Sequence, residues 1–364
     1  MKKEKVIRVC GGSCHTLILT QSKRVYSIGN NQKGQLGLGD NVVRSIPSLI
    51  DPKHFDYEKI AQICVGYCHS MALTQNGNVY SWGNGKHGQL GHVDALNENI
   101  PTKINPVYFN NEPIKYIISC SYFSFAVTKN NNLHAWGHNY HGQLGLGNNE
   151  NQFKPTLVDP STYNHETIVK IECGCQYTLL LTKKSNGSTN IYSCGSNYSG
   201  QLGLDQNDNK NTFQLIDPNH FANQKIKDIK AGDNFSLALI QERDSNKTKI
   251  YSWGSNFNGQ LGLGDEIDRK TPYEIDHSNF NRQKIISIGN GSWHSFAIIK
   301  KQGSNKTKVH AWGDNGEGKL GLGHCLNVLN PNPINMKHFQ SGISSLNSLE
   351  QIVSIGGNCG ACGH

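Results

Sequence analysis

The chain has 364 residues, 39 of them glycine and 36% apolar, with 35 Lys and Arg against 27 Asp and Glu for a formal charge of +8. One conventional core rarely grows past roughly 250–300 residues, yet no Pro/Ser-rich linker or charge block divides this chain, and its composition excludes bulk disorder in favour of a loop-rich β protein. Ten basic against five acidic residues in the first 60 could steer acidic partners, but no dense basic run or basic helix follows, so direct nucleic-acid binding is not expected.

From the N-terminus, Met1-Lys-Lys-Glu-Lys-Val-Ile-Arg8 lacks an apolar stretch of signal-peptide length, and nowhere do about 18 apolar residues run together. An intracellular protein without membrane insertion is expected, cytoplasmic with the nucleus as the alternative. Its 11 cysteines are then expected as free thiols. Residues 6–20 read as two strands. Val25-Tyr-Ser-Ile-Gly29 then alternates apolar and polar residues, as a half-buried strand does, and the pattern returns at Val79, Leu133, Ile191, Ile250 and Val309.

After each of these strands comes a glycine loop. Gly-Gln-Leu-Gly stands at 34–37, 88–91, 142–145, 200–203 and 259–262, and Gly-Lys-Leu-Gly at 318–321, in steps of 54, 54, 58, 59 and 59 residues. A repeat of this length points to a propeller, solenoid or array, whose units bury their apolar faces against neighbouring units. Leu36, Leu90, Leu144, Leu202, Leu261 and Leu320 are expected to plug the loops into the core. A proline-marked segment such as Pro47-Ser-Leu-Ile50 suits an edge strand. The unit closes with a pair such as 60–66 and 69–74, joined to the next unit by a turn such as Gln75-Asn-Gly-Asn78. Insertions at 183–190, 244–249 and 303–308 lengthen this hairpin in three later units and read as spacers.

Four strands per unit make a propeller blade. The unit Trp253-Gly-Ser-Asn-Phe-Asn-Gly-Gln-Leu-Gly262, with Trp82, Trp136 and Trp312 in the same place and Gly-x-x-His at 12–15, 66–69 and 291–294, resembles the regulator of chromosome condensation repeat family over residues 6–357. Ile28 and Cys194 replace the Trp, Cys120 replaces the Gly, and Phe123, Tyr177 and Phe235 take the His place. The resemblance implies an all-β propeller with almost no helix. Counting gives 25 strands, with residues 6–20 as an N-terminal closing half-blade on six units opening near 25, 79, 133, 191, 250 and 309. One domain over 1–364 is expected as a seven-sector ring with an incomplete closing blade, six blades being the alternative.

Chemical motifs are scarce. Gly313-Asp-Asn-Gly-Glu-Gly-Lys319 imitates a phosphate loop, but Leu320 stands where the hydroxyl residue belongs and no helix follows. Gly83-Asn-Gly-Lys-His-Gly88 matches a dinucleotide fingerprint by letters alone. Cys10 and Cys14 recur as Cys64 and Cys68, which reads as core packing. Cys359, Cys362 and His364 lack an evident fourth ligand, so no metal is expected. His15, His69 and His294 open apolar strands and read as core imidazoles. The family includes a light sensor built on clustered tryptophans, and Trp293 alone beside a late-strand histidine gives no cluster.

No covalent catalysis and no cofactor are expected. Within each glycine loop the two variable positions are least explained by packing: Lys86-His87, Tyr140-His141, Tyr198-Ser199 and Phe257-Asn258. Lys86, His87, Tyr140, His141, Tyr198 and Phe257 are therefore the candidate partner contacts of a monomeric, non-enzymatic interaction scaffold. The alternative implied by the resemblance is a guanine nucleotide exchange factor for a Ran-like small GTPase, acting by differential binding.

Overall fold

The computed structural model describes residues 4–335 apart from 244, 246, 302, 304 and 305. These residues form six four-stranded sheets, every neighbouring pair for which a register is defined being antiparallel. Blade 1 takes Val6–Gly11, His15–Thr20, Val25–Gly29 and Arg44–Leu49. Blades 2 to 6 run over 60–103, 114–157, 167–215, 225–274 and 284–333. The fold is an all-β propeller of four-stranded blades, and the six-blade alternative is the one that fits. The twenty-fifth expected strand lies outside the described residues.

Residues 6–20 are not a half-blade standing apart, because they pair onwards with Val25–Gly29 and Arg44–Leu49 in one complete sheet. Each blade thus joins the closing pair of one sequence unit to the opening pair of the next. Tight hairpins such as Thr74–Val79, with Gly77 at φ +88°, oblige their two strands to pair. The blade boundary falls instead at a 3₁₀ turn that the repeat alignment does not reveal.

Those turns are Pro52–Phe55, Pro106–Phe109, Pro160–Tyr163, Pro218–Phe221 and His277–Phe280. In each, the preceding Asp or Asn accepts a hydrogen bond from the backbone N–H two residues on, and four have proline at the first position. The fourth aromatic is buried, and Phe55, Phe109, Phe221 and Phe280 lie edge-on to Trp82, Trp136, Trp253 and Trp312 with centroids 5.9–6.2 Å apart.

Two compact units divide the described residues: 4–165 with 210–213, and 166–209 with 214–335. In the first, one apolar cluster spans blades 1 and 2 and another blades 2 and 3. In the second, one spans blades 4 and 5 and another blades 5 and 6. The core of each unit therefore lies between sheets, as expected of elements that bury a face only against a neighbour.

One joint is written four times. Trp82 Nε1 donates to Gln35 O, Trp136 to Gln89 O, Trp253 to Gln201 O and Trp312 to Gln260 O, at 2.9–3.0 Å. The same carbonyls accept from Ser70, Ser124, Ser236 and Ser295 Oγ at 2.8–3.0 Å. Gly37 completes the socket: at φ +72°, a Cβ there would sit 2.7 Å from Trp82 Nε1. The six loop leucines and the four tryptophans are at most 1% exposed.

Cysteine behaviour departs from expectation in two ways. Cys10 and Cys64 are core residues, 7% and 6% exposed, but Cys14 is exposed and Cys68 half-buried because both lie in the turn before the second strand rather than on a strand. Cys10, Cys14, Cys64, Cys68, Cys194 and Cys325 are free thiols, whereas Cys120, Cys173 and Cys175 are disulfide-bonded. The expectation of free thiols rested on compartment alone, which is blind to where turns place particular sulfurs.

Candidate partner-docking face

The glycine loops are rigid because their polar side chains are spent on their own backbone. Asn31, Asn139, Asn197, Asn256 and Asn315 each accept from the N–H of the loop leucine at 2.9–3.0 Å. Gln35, Gln89, Gln143, Gln201 and Gln260 accept from the N–H two residues earlier at 2.9–3.1 Å. Those bonds leave the two variable positions of each loop displayed. Tyr140, Tyr198 and Phe257 are 63%, 67% and 52% exposed, Lys86 is exposed, and His87 and His141 are half-buried.

In the first unit the displayed rings run together. Tyr67 meets Tyr122 at 5.1 Å, Tyr122 meets His87 at 5.4 Å, His87 meets His138 at 5.1 Å and His138 meets Tyr140 at 4.7 Å between centroids. Gln143 Nε2 donates to His138 Nδ1 at 2.8 Å. Burial, helped by the neighbouring His87 and His141, pushes the His138 imidazole down to about 4. His87 and His141 are lowered for the same first cause, burial. At neutral pH the run is thus uncharged, with Lys33 and Lys86 exposed on the same unit's loops.

The second unit shows less. Phe257 meets Trp293 edge-on at 4.8 Å, and Tyr198 OH accepts from Asn209 at 3.3 Å. The loop of blade 6 carries a Lys319–Asp314 ion pair at 2.6 Å. The inserted hairpins border two grooves of about 500 and 490 Å³, the second holding Lys247, Arg282, Lys284, Lys300 and Lys301.

Tyr67, Tyr122 and His138 were missed in the sequence, and Trp293 was weighed there only as a member of a tryptophan cluster. Tyr67, Tyr122 and Trp293 occupy the two unconstrained places of Gly-x-x-His or its variant, so the same reasoning that selected Tyr140 could have selected them. His15 and His69 are buried at the joint, with Nε2 paired to Ser70 and Ser124 Oγ at 2.9 and 3.0 Å. Since those hydroxyls donate to Gln35 O and Gln89 O, each histidine carries a proton on Nε2 and donates it, and burial, which pushes both imidazoles down, keeps them neutral. A Cβ on Gly12 would lie 2.9 Å from the His15 ring, which explains the glycine of Gly-x-x-His. His294 is half-buried, and burial pushes it down to about 4.

Among the described residues no three His, Cys, Asp or Glu side chains are placed to hold a metal, and Cys359, Cys362 and His364 lie outside them. No helix there is long and apolar enough to cross a membrane.

Comparison with known proteins agrees with this architecture. The RCC1-like domain model matches residues 1–297. The ultraviolet-B receptor UVR8 of Arabidopsis thaliana is 30% identical over 324 residues, covering 88% of this chain and 68% of the relative. The E3 ubiquitin-protein ligase HERC2 of Mus musculus is 30% identical over 319 residues, 87% of this chain but 6% of that much longer protein. Among solved structures, human WBSCR16 has a TM-score of 0.74 at 19% identity, covering 92% of this chain and 83% of that one. Prp20p from Saccharomyces cerevisiae, described with its binding properties to Gsp1p and histones, has a TM-score of 0.71 at 23% identity over 92% of this chain and 78% of its own. At these identities the structural likenesses concern the fold alone. With its repeated loops, its shared joint and the family match over most of its length, the chain belongs to the RCC1-like domain family, whose propeller is a protein-interaction fold.

Proposed function

We propose that this protein is a non-enzymatic scaffold that docks a protein partner through the aromatic and imidazole run of its first unit. The observation that carries the reading is the run itself, Tyr67–Tyr122–His87–His138–Tyr140, held on loops whose backbone is internally bonded. Rigid, half-exposed aromatics lose little conformational freedom on contact and supply most of the energy of small interfaces. We place the protein in the cytoplasm as a monomer, with the nucleus as the alternative.

The test is affinity capture from lysate with the full chain, followed by mass spectrometry. Capture of the same partner by wild type and by Phe257→Ala, and its loss with Tyr140→Ala/His141→Ala at unchanged thermal stability, supports the reading. Retention by the double variant overturns it.

A second reading, guanine nucleotide exchange on a Ran-like small GTPase, draws on the likeness to Prp20p. Release of labelled GDP from a panel of small GTPases, with and without the protein, decides it. Dose-dependent acceleration on one member places exchange above scaffolding.

A further inference from the structure

We propose that Cys14 and Cys68 form a peroxide-responsive dithiol, a modification site that closes to a disulfide between blades 1 and 2. The two residues hold the same place in neighbouring turns, Gly12-Ser-Cys14 and Gly66-Tyr-Cys68. Both turns are fixed alike, with Asn30 N–H donating to Cys14 O at 2.8 Å and Asn84 N–H to Cys68 O at 2.9 Å. They also pack together, since a Cβ on Gly12 would lie 2.6 Å from Gly66 O. The Cys14 thiol lies near enough to Cys68 to raise it, and Gln35 Nε2 donates to Cys14 Sγ at 3.8 Å.

The thiols differ in access. Cys14 is exposed and Cys68 half-buried. Burial, with the Cys14 thiol adding to it, pushes Cys68 up to about 12 against the opposing charge of Lys33. The oxidant therefore meets Cys14 first and Cys68 acts as the resolving thiol. Cys10 and Cys64, four residues earlier, are buried and bonded to Ile63 O and Ser119 Oγ, and take no part.

The chemistry balances with hydrogen peroxide as oxidant. Cys14 sulfur attacks the O–O bond, forming a sulfenic acid and releasing one water. Cys68 sulfur then attacks Cys14 sulfur, the S–S bond forms, and the hydroxyl leaves with the Cys68 proton as a second water. A small-molecule thiol reverses the bond by exchange.

The experiment treats the full chain with a small excess of peroxide near neutral pH, quenches with iodoacetamide and maps non-reduced peptides. The expected product is one cross-linked pair holding Cys14 and Cys68, removed by reduction, with alkylation of Cys14 falling roughly tenfold. Cys325, exposed in blade 6, is the control for exposure alone. Cys14→Ser abolishes the link and leaves Cys68 alkylatable. Cys68→Ser leaves a sulfenic acid on Cys14 that a dimedone probe captures. Three results overturn the proposal: Cys14 oxidised to sulfinic acid without a link, Cys14 linked to any other cysteine, or Cys14 oxidised no faster than Cys325.

Discussion

The two compact units use the same joint and present different loop surfaces. Blades 2 and 3 in one, and 5 and 6 in the other, each hang a tryptophan N–H and a serine hydroxyl on the glutamine carbonyl of the preceding loop, at distances that agree within 0.2 Å. On the loop surface the first unit carries a connected run of five rings, whereas the second has a Phe257–Trp293 pair and a Lys319–Asp314 ion pair. What recurs in both units is there to bury neighbouring sheets, and what varies is left to distinguish one unit from the other.

The largest effect should come from the joint. Trp136→Ala is expected to cost about 3–5 kcal/mol of unfolding free energy, the usual toll for emptying a buried ring. Trp136→Phe keeps most of the ring and removes one of the two hydrogen bonds to the Gln89 carbonyl, which Ser124 Oγ still satisfies, at a cost of roughly 0.5–1.5 kcal/mol. Urea titration followed by intrinsic fluorescence measures both. A loss below about 1 kcal/mol for the alanine variant would show that the neighbouring blades of a unit are held by something other than this joint.

Acid should separate the units next. His15 and His69 are pushed down to about 4 and about 3, chiefly by burial. Their folded values lie below the unfolded one, so the stability they contribute is full above about pH 6.5 and is lost as pH falls towards those folded values. Each is expected to cost on the order of 2 kcal/mol between about pH 7 and pH 5. At the same place the second unit has Tyr177, Phe235 and the half-buried His294. Burial pushes His294 and His310 down to about 4 as well, so that unit loses stability in the same window, but with fewer such imidazoles than the first, where His138 joins His15 and His69. Hydrogen exchange at the two pH values should show amides of blades 1 to 3 opening first, and His69→Phe should remove part of that difference. Equal acceleration in both units breaks the comparison.

On the loop surface the effect belongs to binding rather than to stability. Tyr140→Ala is expected to weaken partner capture by roughly tenfold while changing the unfolding free energy by less than about 0.5 kcal/mol. Phe257→Ala should leave capture unchanged. The smallest effect is expected from Lys319→Ala, which removes a partly exposed ion pair worth about 0–1 kcal/mol and screened by salt. A stability loss that survives high salt would mean that Lys319 supports the loop by packing.

Much of the framework was legible because each repeat writes its physics locally. Alternation at Val79-Tyr-Ser-Trp-Gly83 marks a strand, Gly-Gln-Leu-Gly marks a compact loop, and six copies together mark a propeller. The phase of the blades was not legible. A glycine alignment shows where a repeat recurs but not where hydrogen bonding stops, and the 3₁₀ turns that end each sheet were hidden in unremarked tracts such as Asp51-Pro-Lys-His-Phe55. Of the docking face, Lys86, His87, Tyr140, His141, Tyr198 and Phe257 could be chosen because packing left them unexplained. Tyr67 and Tyr122 escaped because they stand inside Gly66-Tyr-Cys-His69 and its variant Cys120-Ser-Tyr-Phe123, tracts already accounted for by the repeat.

By itself the sequence determined the fold family, the strands of the repeat and the buried loop leucines and tryptophans, since alternation and repeat position are patterns a few residues long. Only the tertiary structure decided which rings meet, which imidazoles lose their charge and which cysteine-bearing turns pack together. Those properties join residues about 50 positions apart, such as His15 with Ser70 and Cys14 with Cys68. Their distances are set by how sheets pack, and no local pattern records that.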